Sequence, residues 1–337
     1  MSPDESVPES HVPEPPLPAG AGVSPVVPAG TVGFGIQLPV QSQSSLYVEQ
    51  WELESGPAEI SQVASAADRS GFLYVAVCDH TAIPKRLAQA MGTTWYDTVA
   101  TLGWLAALTT KTRLLSHVYI AALRNPLRTA KEFATLDVLS GGRVILGVGA
   151  GHVPEEFDAV GADFEGRGRL LDEAIDGVAA ALSEEFPIID GPTWPARELA
   201  VSPRPVQSPR PPIWVGGSSV PALRRAAARG DGWLPQTFRR SDLAEQIAKL
   251  KAFRAEFRPS DPIEIGALLA PIYMGTPSFE LPRGTITGSR EEIAASIGEL
   301  VALGVSHVQV RFPSRSVGEL CDQIEVFGSE VGPLLRR

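Results

Sequence analysis

The feature that most constrains the fold of this chain is an alternation of short β-rich runs with helix-length amphipathic segments, from about residue 33 almost to the C-terminus. The run 72–78 is nearly continuous in apolar residues, which is typical of a parallel strand buried on both faces. Gly71 and Gly304 follow helical segments, where glycine commonly ends a helix. We predict eight strands, at residues 33–38, 72–78, 114–120, 144–148, 213–215, 232–234, 263–269 and 307–312.

Eight strands that are each followed by a helix predict an α/β fold of the (β/α)8 TIM-barrel type. An open, doubly wound sheet is the alternative, but no dinucleotide-binding glycine fingerprint follows the first strand. In a barrel, functional residues gather at the carboxyl ends of the strands. The residues just after each strand are therefore the candidates for a site.

The N-terminal segment differs in composition from the rest of the chain. Residues 1–30 contain eight prolines and four acidic residues but no lysine or arginine, a composition that favours extended chain over packed structure. The total of 337 residues allows two domains on length alone. We instead predict a disordered, Pro-rich tail over 1–30 and a single barrel domain over 31–337.

Charge and composition exclude several classes of protein. The 39 acidic residues outnumber the 29 basic ones, giving a net charge of −10, which argues against a nucleic-acid partner. The apolar stretch 98–110 is too short to span a bilayer, and the first basic residue is Arg69, so no positively charged signal region is present. The two cysteines, Cys78 and Cys321, cannot build a disulfide framework or a four-ligand zinc site. We expect a cytoplasmic protein with no membrane contact and no metal centre.

Asp79 and His80 directly follow the second strand. A carboxylate beside an imidazole can supply a proton donor or acceptor that works near neutral pH. A helix-capping aspartate beside a solvated histidine fits the same residues equally well. We interpret the neighbouring Cys78 as a buried strand residue, because no basic neighbour is evident to lower the pKa of its thiol.

Two glycine-rich segments also follow predicted strands. The segment 147–152 (GVGAGH) lets the backbone approach a planar ligand closely, but it lacks the Lys-Ser/Thr of a P-loop. The segment 216–219 (GGSS) leads directly into a helix, so its N–H groups and hydroxyls can bind a phosphate; a tight turn with a serine cap is the alternative. We expect nearby arginines to compensate the charge of an anion there, namely Arg204, Arg210, Arg224 and Arg225.

Other aromatic and imidazole side chains have a simpler interpretation. Trp104, Trp214 and Trp233 are expected to lie in the core. His117 lies within the third predicted strand and can be either a core histidine or a ligand contact.

Several short motifs occur in a characteristic order: Gly-Phe…Cys-Asp-His at 71–80, the run 125–143, the glycine segment 146–151, the acidic segments 156–161 and 169–173, and the segments 205–218 and 230–233. Together they resemble the luciferase-like monooxygenase superfamily, most closely its branch that uses the deazaflavin coenzyme F-420. The resemblance covers roughly residues 33–315 and implies a (β/α)8 barrel, in agreement with the strand count.

The resemblance also implies roles for individual residues. His80 would be the catalytic group near the reactive ring carbon. We add His152, at a position where the sequence departs from some members of the branch, as a second catalytic candidate on the substrate side. The family often has a non-prolyl cis peptide near the end of the third strand, which would fall around 117–119. The implied cofactor contacts are Asp79, Val118, Gly149, Ala150, Gly151, Gly216, Gly217 and Ser218.

The leading hypothesis is an oxidoreductase that transfers a hydride between coenzyme F-420 (8-hydroxy-5-deazaflavin) and a small organic substrate. One alternative is a monooxygenase that uses reduced FMN. Another is a barrel that binds a cofactor without catalysis. The expected partners are a small-molecule substrate, a flavin or deazaflavin reductase that supplies reduced cofactor, and a second copy of the chain in a homodimer.

Specificity would reside in the loops 81–96, 153–168 and 275–287. Their aromatic and apolar residues Trp95, Tyr96, Phe279 and Leu281 suggest an apolar pocket wall. A sugar-phosphate substrate is disfavoured, because His152 stands where related sugar-phosphate dehydrogenases carry an acid.

Overall fold

Eight parallel strands close into a barrel in chain order, with β8 pairing to β1. The computed structural model describes residues 23–42, 44, 48–235 and 242–335. The strands are β1 Gly33–Gln37, β2 Tyr74–Val77, β3 Arg113–Ser116, β4 Val144–Val148, β5 Ile213–Val215, β6 Gly232–Trp233, β7 Glu264–Leu268 and β8 His307–Val310. The predicted (β/α)8 barrel is confirmed. Most strands are slightly shorter than predicted, and β3 ends four residues early.

One or two of the described helices follow each strand along the chain. They are α1 Pro57–Arg69, α2 Ala88–Met91, α3 Thr98–Leu108, α4 Pro126–Ser140, α5 Pro154–Val160, α6 Arg167–Ser183, α7 Val220–Arg229, α8 Leu243–Phe257, α9 Arg290–Leu303 and α10 Val317–Val326. Of these, α5 lies inside the segment 153–168 that we expected to be a loop. No helix in the described part of the chain is long and apolar enough to cross a membrane.

The ends of α9 show how local sequence sets helix boundaries. Ser289 accepts a hydrogen bond from the N–H of Glu292, and the Glu292 carboxylate accepts from the N–H of Ser289. This reciprocal capping satisfies two N–H groups that would otherwise lack partners. Gly304 ends the helix with a φ of 106°, in the left-handed region that favours glycine.

Large side chains fill the barrel interior opposite glycines. The ring of Trp214 on β5 stacks on His307 of β8 at 4.2 Å and meets Tyr74 of β2 at 5.7 Å. These strands are not neighbours, so their side chains meet inside the barrel. A Cβ atom on Gly35 would lie 2.3 Å from the Tyr74 ring, and one on Gly232 would lie 2.4 Å from Trp214. The interior is therefore packed by pairing each large ring with a strand glycine.

Two residues of the run 125–143, Asp137 and Arg143, stabilise the fold. The Asp137 carboxylate accepts the N–H groups of Val206 and Gln207, which tethers α4 to the segment before β5. The Arg143 guanidinium donates to the carbonyl oxygens of Ala106 and Thr109 at the end of α3. Each contact satisfies backbone groups that would otherwise lack a partner at a buried corner.

The segment before β1 packs under the barrel. Val26 is buried against the interior cluster that includes Tyr74 and Trp214, and the N–H of Val27 donates to Glu264 at 2.7 Å. Of the predicted tail 1–30, residues 1–22 lie outside the described residues. The prediction of disorder is wrong for the rest of that segment around Val26, because its apolar side chain covers the barrel floor.

Candidate active site

Glu156 and His80 form the central contact at the carboxyl ends of the strands. His80 follows β2, and Glu156 lies on the first turn of α5. The His80 Nδ1 atom is 2.7 Å from Glu156 Oε2, and the two side chains are only 7% and 1% exposed. Glu156 Oε1 accepts the N–H groups of Thr81 at 2.6 Å and Ala82 at 3.2 Å. One carboxylate thus holds both the imidazole and the backbone that follows it.

The electrostatics favour an ionised Glu156. Burial alone would raise the pKa of Glu156, but the hydrogen bonds from His80, Thr81 and Ala82 outweigh it, and the pKa is lowered from its usual value. The carboxylate is therefore charged at neutral pH, when it can only accept hydrogen bonds.

Two further rings contact His80. The His152 ring lies 5.3 Å away at 85°, and the Trp95 ring lies 4.5 Å away at 73°. The pKa of His152 is lowered, first by burial and then by the charge of the neighbouring His80. The structure thus brings together both predicted catalytic histidines.

Asp79 makes contacts within the protein. Its carboxylate receives two hydrogen bonds from Arg124, at 2.5 and 2.9 Å, and one from the N–H of Ile120 at 2.7 Å. The Arg124 guanidinium also lies 4.2 Å from the centre of the Tyr119 ring. Asp79 is therefore an anchor for the segment after β3, and neither alternative from the sequence anticipated this.

Val118 lies against both glycine-rich segments. The peptide between His117 and Val118 is cis, where the resemblance implied such a bond. A Cβ atom on Gly149 would lie 2.5 Å from Val118 Cγ2, and one on Gly216 would lie 2.6 Å from Val118 Cγ1. These two glycines accommodate Val118, a protein contact that our argument from close approach to a ligand did not foresee.

The rest of the segment after β4 is fixed by packing. Gly151 has a φ of +79°, and an added Cβ would lie 2.8 Å from Ile120 and 2.9 Å from Phe157. Ala150 is half-buried against the core.

The turn before α7 is exposed and well anchored. Gly217 has a φ of +95°, and its carbonyl oxygen accepts the indole N–H of Trp233 at 2.7 Å. Ser219 caps α7 by accepting the N–H of Ala222. Ser218 is half-buried, between the exposed Gly217 and Ser219. An exposed helix N-terminus of this kind suits an anion.

The four arginines expected near this turn make other contacts. Arg204 donates to carbonyl oxygens at the end of α6, and Arg224 lies over the aromatic rings of α8. Arg210 and Arg225 form ion pairs with aspartates. The turn therefore offers its backbone N–H groups and hydroxyls rather than a cluster of arginines.

Other buried groups agree with the interpretation of core residues. Burial raises the pKa of Cys78 to about 12, which makes it an unreactive buried thiol just after β2. Burial lowers the pKa of His117 to about 4, although hydrogen bonds with Leu234 and Gln309 act in the opposite direction. Trp214 and Trp233 are buried, but Trp104 is 38% exposed, so its assignment to the core is wrong.

The expected apolar wall divides into two regions. Trp95 contacts His80, whereas Phe279 and Leu281 line a separate groove of about 670 Å³ with Trp51. Neither His80 nor the turn before α7 lines that groove. The two loops therefore do not form one continuous wall.

One feature of the site fits a bound polar ligand. The indole Nε1–H of Trp95 is buried and has no hydrogen-bond partner among the described residues. A buried donor without a partner is costly, so it suits a ligand acceptor beside His80. The site thus offers two kinds of contact: the Trp95 N–H can donate to a polar atom of a ligand, and the exposed turn before α7 can bind an anion.

Sequence analysis missed two residues of this site, Glu156 and Arg124. The signal for Glu156 was present, because Pro154 followed by Glu155 and Glu156 is typical of a helix N-terminus. Arg124 carried no local signal, since its pairing with Asp79 depends on the barrel.

Comparisons with known proteins agree with the fold. Residues 32–278 match the model of the luciferase-like monooxygenase family. The 5,10-methylenetetrahydromethanopterin reductase of Methanopyrus kandleri is 27% identical over 281 residues, which cover 72% of this chain and 76% of that protein.

Two solved structures share the barrel. The coenzyme F420-dependent tetrahydromethanopterin reductase from Methanopyrus kandleri has a TM-score of 0.71 at 20% identity, covering 91% of this chain and 100% of that one. The monooxygenase RslO1 from Streptomyces bottropensis has a TM-score of 0.71 at 19% identity, covering 89% and 99%. Because the family model matches well over half of its length, this chain belongs to the luciferase-like monooxygenase family.

Proposed function

We propose that this chain is an oxidoreductase that transfers a hydride between coenzyme F-420 and a small organic substrate. The observation that carries the proposal is the cluster formed by the buried pair His80 and Glu156 with the more exposed His152, on the same barrel face as the exposed turn before α7. The relative from Methanopyrus kandleri is named as a 5,10-methylenetetrahydromethanopterin reductase, and the solved structure from the same organism is named as a coenzyme F420-dependent tetrahydromethanopterin reductase. Such a cluster handles protons, which is what a hydride transfer needs from the protein.

The residues present fit a cofactor with a planar ring and an anionic tail. A bound deazaflavin would supply the hydride. Gly217, Ser218 and the N-terminus of α7 would hold the anionic group. The indole N–H of Trp95 would donate to an acceptor on a bound ligand.

His80 would give or take the proton that accompanies the hydride. Its Nδ1 atom is held by Glu156, so Nε2 is the atom that can exchange a proton with a ligand. His152 would line the substrate side and contribute a second imidazole. Trp95 and the buried positions of His80 and Glu156 would limit the access of water.

A monooxygenase that uses reduced FMN is the second candidate, favoured by the likeness to the monooxygenase RslO1. The exposed turn before α7 suits the phosphate of either cofactor. In either case we propose that a separate flavin or deazaflavin reductase supplies the reduced cofactor.

Titration of the full chain with F-420 and with FMN tests the assignment. We expect F-420 to bind more tightly, and substrate reduction by its reduced form to proceed without oxygen consumption. Tighter binding of FMN with oxygen consumption would favour the monooxygenase. Binding of F-420 without turnover over a broad panel of acceptors would favour a non-catalytic barrel, and binding of neither cofactor would overturn the proposal.

We also propose that the chain forms a homodimer through the outer face of α3. No charged residue lies between Asp97 and Lys111, and Trp104 and Leu108 are exposed on this face beside the small residues Ala100 and Gly103. In a dimer with two-fold symmetry, the large side chains of one copy could pack against the small residues of the other. Because residues 98–110 contain no charged side chain, this face does not suit a partner that binds through ion pairs.

Sedimentation velocity tests the dimer. We expect Trp104→Glu to give monomers, whereas Phe186→Glu should leave the dimer intact, because Phe186 is an exposed aromatic residue of another surface. A monomeric wild-type chain would overturn the proposal.

A further inference from the structure

Glu156 makes three contacts with the segment after β2. It accepts the N–H groups of Thr81 and Ala82 through Oε1, and it contacts His80 Nδ1 through Oε2. Its side chain is 1% exposed, so water cannot readily replace these contacts. Removing the carboxylate would leave buried donors without partners.

These contacts decide where the proton of His80 lies. A neutral imidazole carries one proton, on either Nδ1 or Nε2. The ionised Glu156 has no proton to donate, so the nitrogen that contacts it must be the one that carries hydrogen. The neutral ring therefore has Nδ1–H and a bare Nε2, and Nε2 has no hydrogen-bond partner within the described ranges.

We propose that Glu156 is a positioning residue that fixes the Nδ1–H tautomer of His80 and so makes Nε2 the atom that exchanges a proton with the bound ligand. The proposal rests on the proposed function of His80. Glu156 acts through His80 and need not touch the substrate. His152 approaches the same ring without a hydrogen bond to it, so Glu156 is the residue that selects the tautomer.

The neighbouring Glu155 supplies a matched control. It lies one position earlier on α5 and forms an exposed ion pair with Arg86 at 2.5 Å. Glu155→Gln removes one carboxylate from the same helix turn without changing the contact to His80.

The tautomer can be read directly by ¹⁵N NMR of the full chain with labelled histidine. The chain contains only five histidines, so His80→Asn and His152→Asn variants assign the signals. We expect the wild type to show Nδ1–H at His80. In Glu156→Gln the amide NH₂ can donate to Nδ1, while the amide oxygen can still accept from Thr81 and Ala82. We therefore expect His80 to change to the Nε2–H form in this variant.

The kinetic counterpart is a loss of turnover. We expect Glu156→Gln to lower kcat by about 10²-fold or more, at the scale of general acid–base catalysis, with cofactor affinity kept. Glu155→Gln should change neither the tautomer nor kcat.

The outcomes separate the two proposals. An Nε2–H tautomer in the wild type, or an unchanged tautomer in a folded Glu156→Gln variant, would overturn the role of Glu156. If Glu156→Gln fails to fold, the tautomer of the wild type decides. A change of tautomer in a chain that shows no turnover with any acceptor would support the role of Glu156 but overturn the proposed function.

Discussion

The molecule contains two pairs of histidines that differ in burial and in their charged neighbours. His80 and His152 lie at the carboxyl ends of the strands near Glu156, whereas His117, directly after β3, and His307, on β8, are fully enclosed in the barrel. Burial lowers the pKa of His117 to about 4 and that of His307 to about 3, with the charge of His117 adding to the effect at His307. Burial thus turns His117 and His307 into neutral packing groups, whereas His80 has a carboxylate as a hydrogen-bond partner.

Acid should expose this difference as a loss of stability. The pKa of histidine in the unfolded chain is about 6.5. Below that pH, His117 and His307 bind protons in the unfolded chain but stay neutral in the folded chain, so acid favours unfolding. The stability that these two neutral side chains contribute is complete above about pH 6.5, and it decreases as the pH falls to about 4 for His117 and to about 3 for His307. At pH 4.5 the loss for the two residues is on the order of 5 kcal/mol, at about 1.4 kcal/mol per pH unit for each. Urea unfolding at pH 7, 5.5 and 4.5 would measure it.

His307→Phe is the control for that titration. The variant keeps a ring against Trp214 and removes one of the two protonation sites. We expect it to lose stability less steeply with acid than the wild type. An equal slope would mean that other groups cause the loss.

Replacing one histidine from each pair should separate activity from packing. We expect His80→Ala to lower turnover by about 10²- to 10⁴-fold with little change in cofactor affinity, because the proton-handling group is removed. His307→Phe should retain turnover near that of the wild type. Steady-state kinetics with cofactor titration would check both, and unchanged turnover in His80→Ala would exclude its role.

An added methyl group should affect cofactor binding at the candidate site but not in the barrel interior. Gly216→Ala places a Cβ against Val118, and Gly266→Ala places one 2.5 Å from His307. Each should cost about 1–3 kcal/mol of stability by overpacking. Only Gly216→Ala should also weaken cofactor binding. Gly298→Ala on α9, where an added Cβ meets nothing within 4 Å, is the control and should not destabilise the chain.

The smallest expected effect concerns the buried donor of Trp95. Trp95→Phe removes the indole N–H beside His80 and keeps an aromatic ring there. We expect ligand affinity to fall by up to about tenfold, the net value of roughly one hydrogen bond. Isothermal calorimetry would measure it. An unchanged affinity would mean that no bound ligand accepts from this N–H.

Much of the fold could be predicted because buried parallel strands leave a strong local pattern. The bounds of β4 and β5 agree with the prediction to the residue. The rule that barrel sites lie at strand ends pointed to His80, and the structure places the His152 ring beside it. The outward face of α3 could not be predicted, since a helix without a polar side gives no sign of which residues face outward.

The rest of the site depends on contacts distant in sequence. Glu156 reaches His80 across 76 positions, and Arg124 reaches Asp79 across 45. No spacing within either segment encodes such a pairing. The roles of Gly149 and Gly216 also required the position of Val118 to be known.

The contact of Val118 with two glycines makes the order of evolutionary change matter. Alanine at position 149 or 216 would collide with the methyl groups of Val118, so either substitution is harmful while valine remains. If position 118 first becomes smaller, as in Val118→Ala, both substitutions become accessible. Three positions from three different strand ends therefore constrain one another as a single unit, and divergence of this site is expected to begin at Val118.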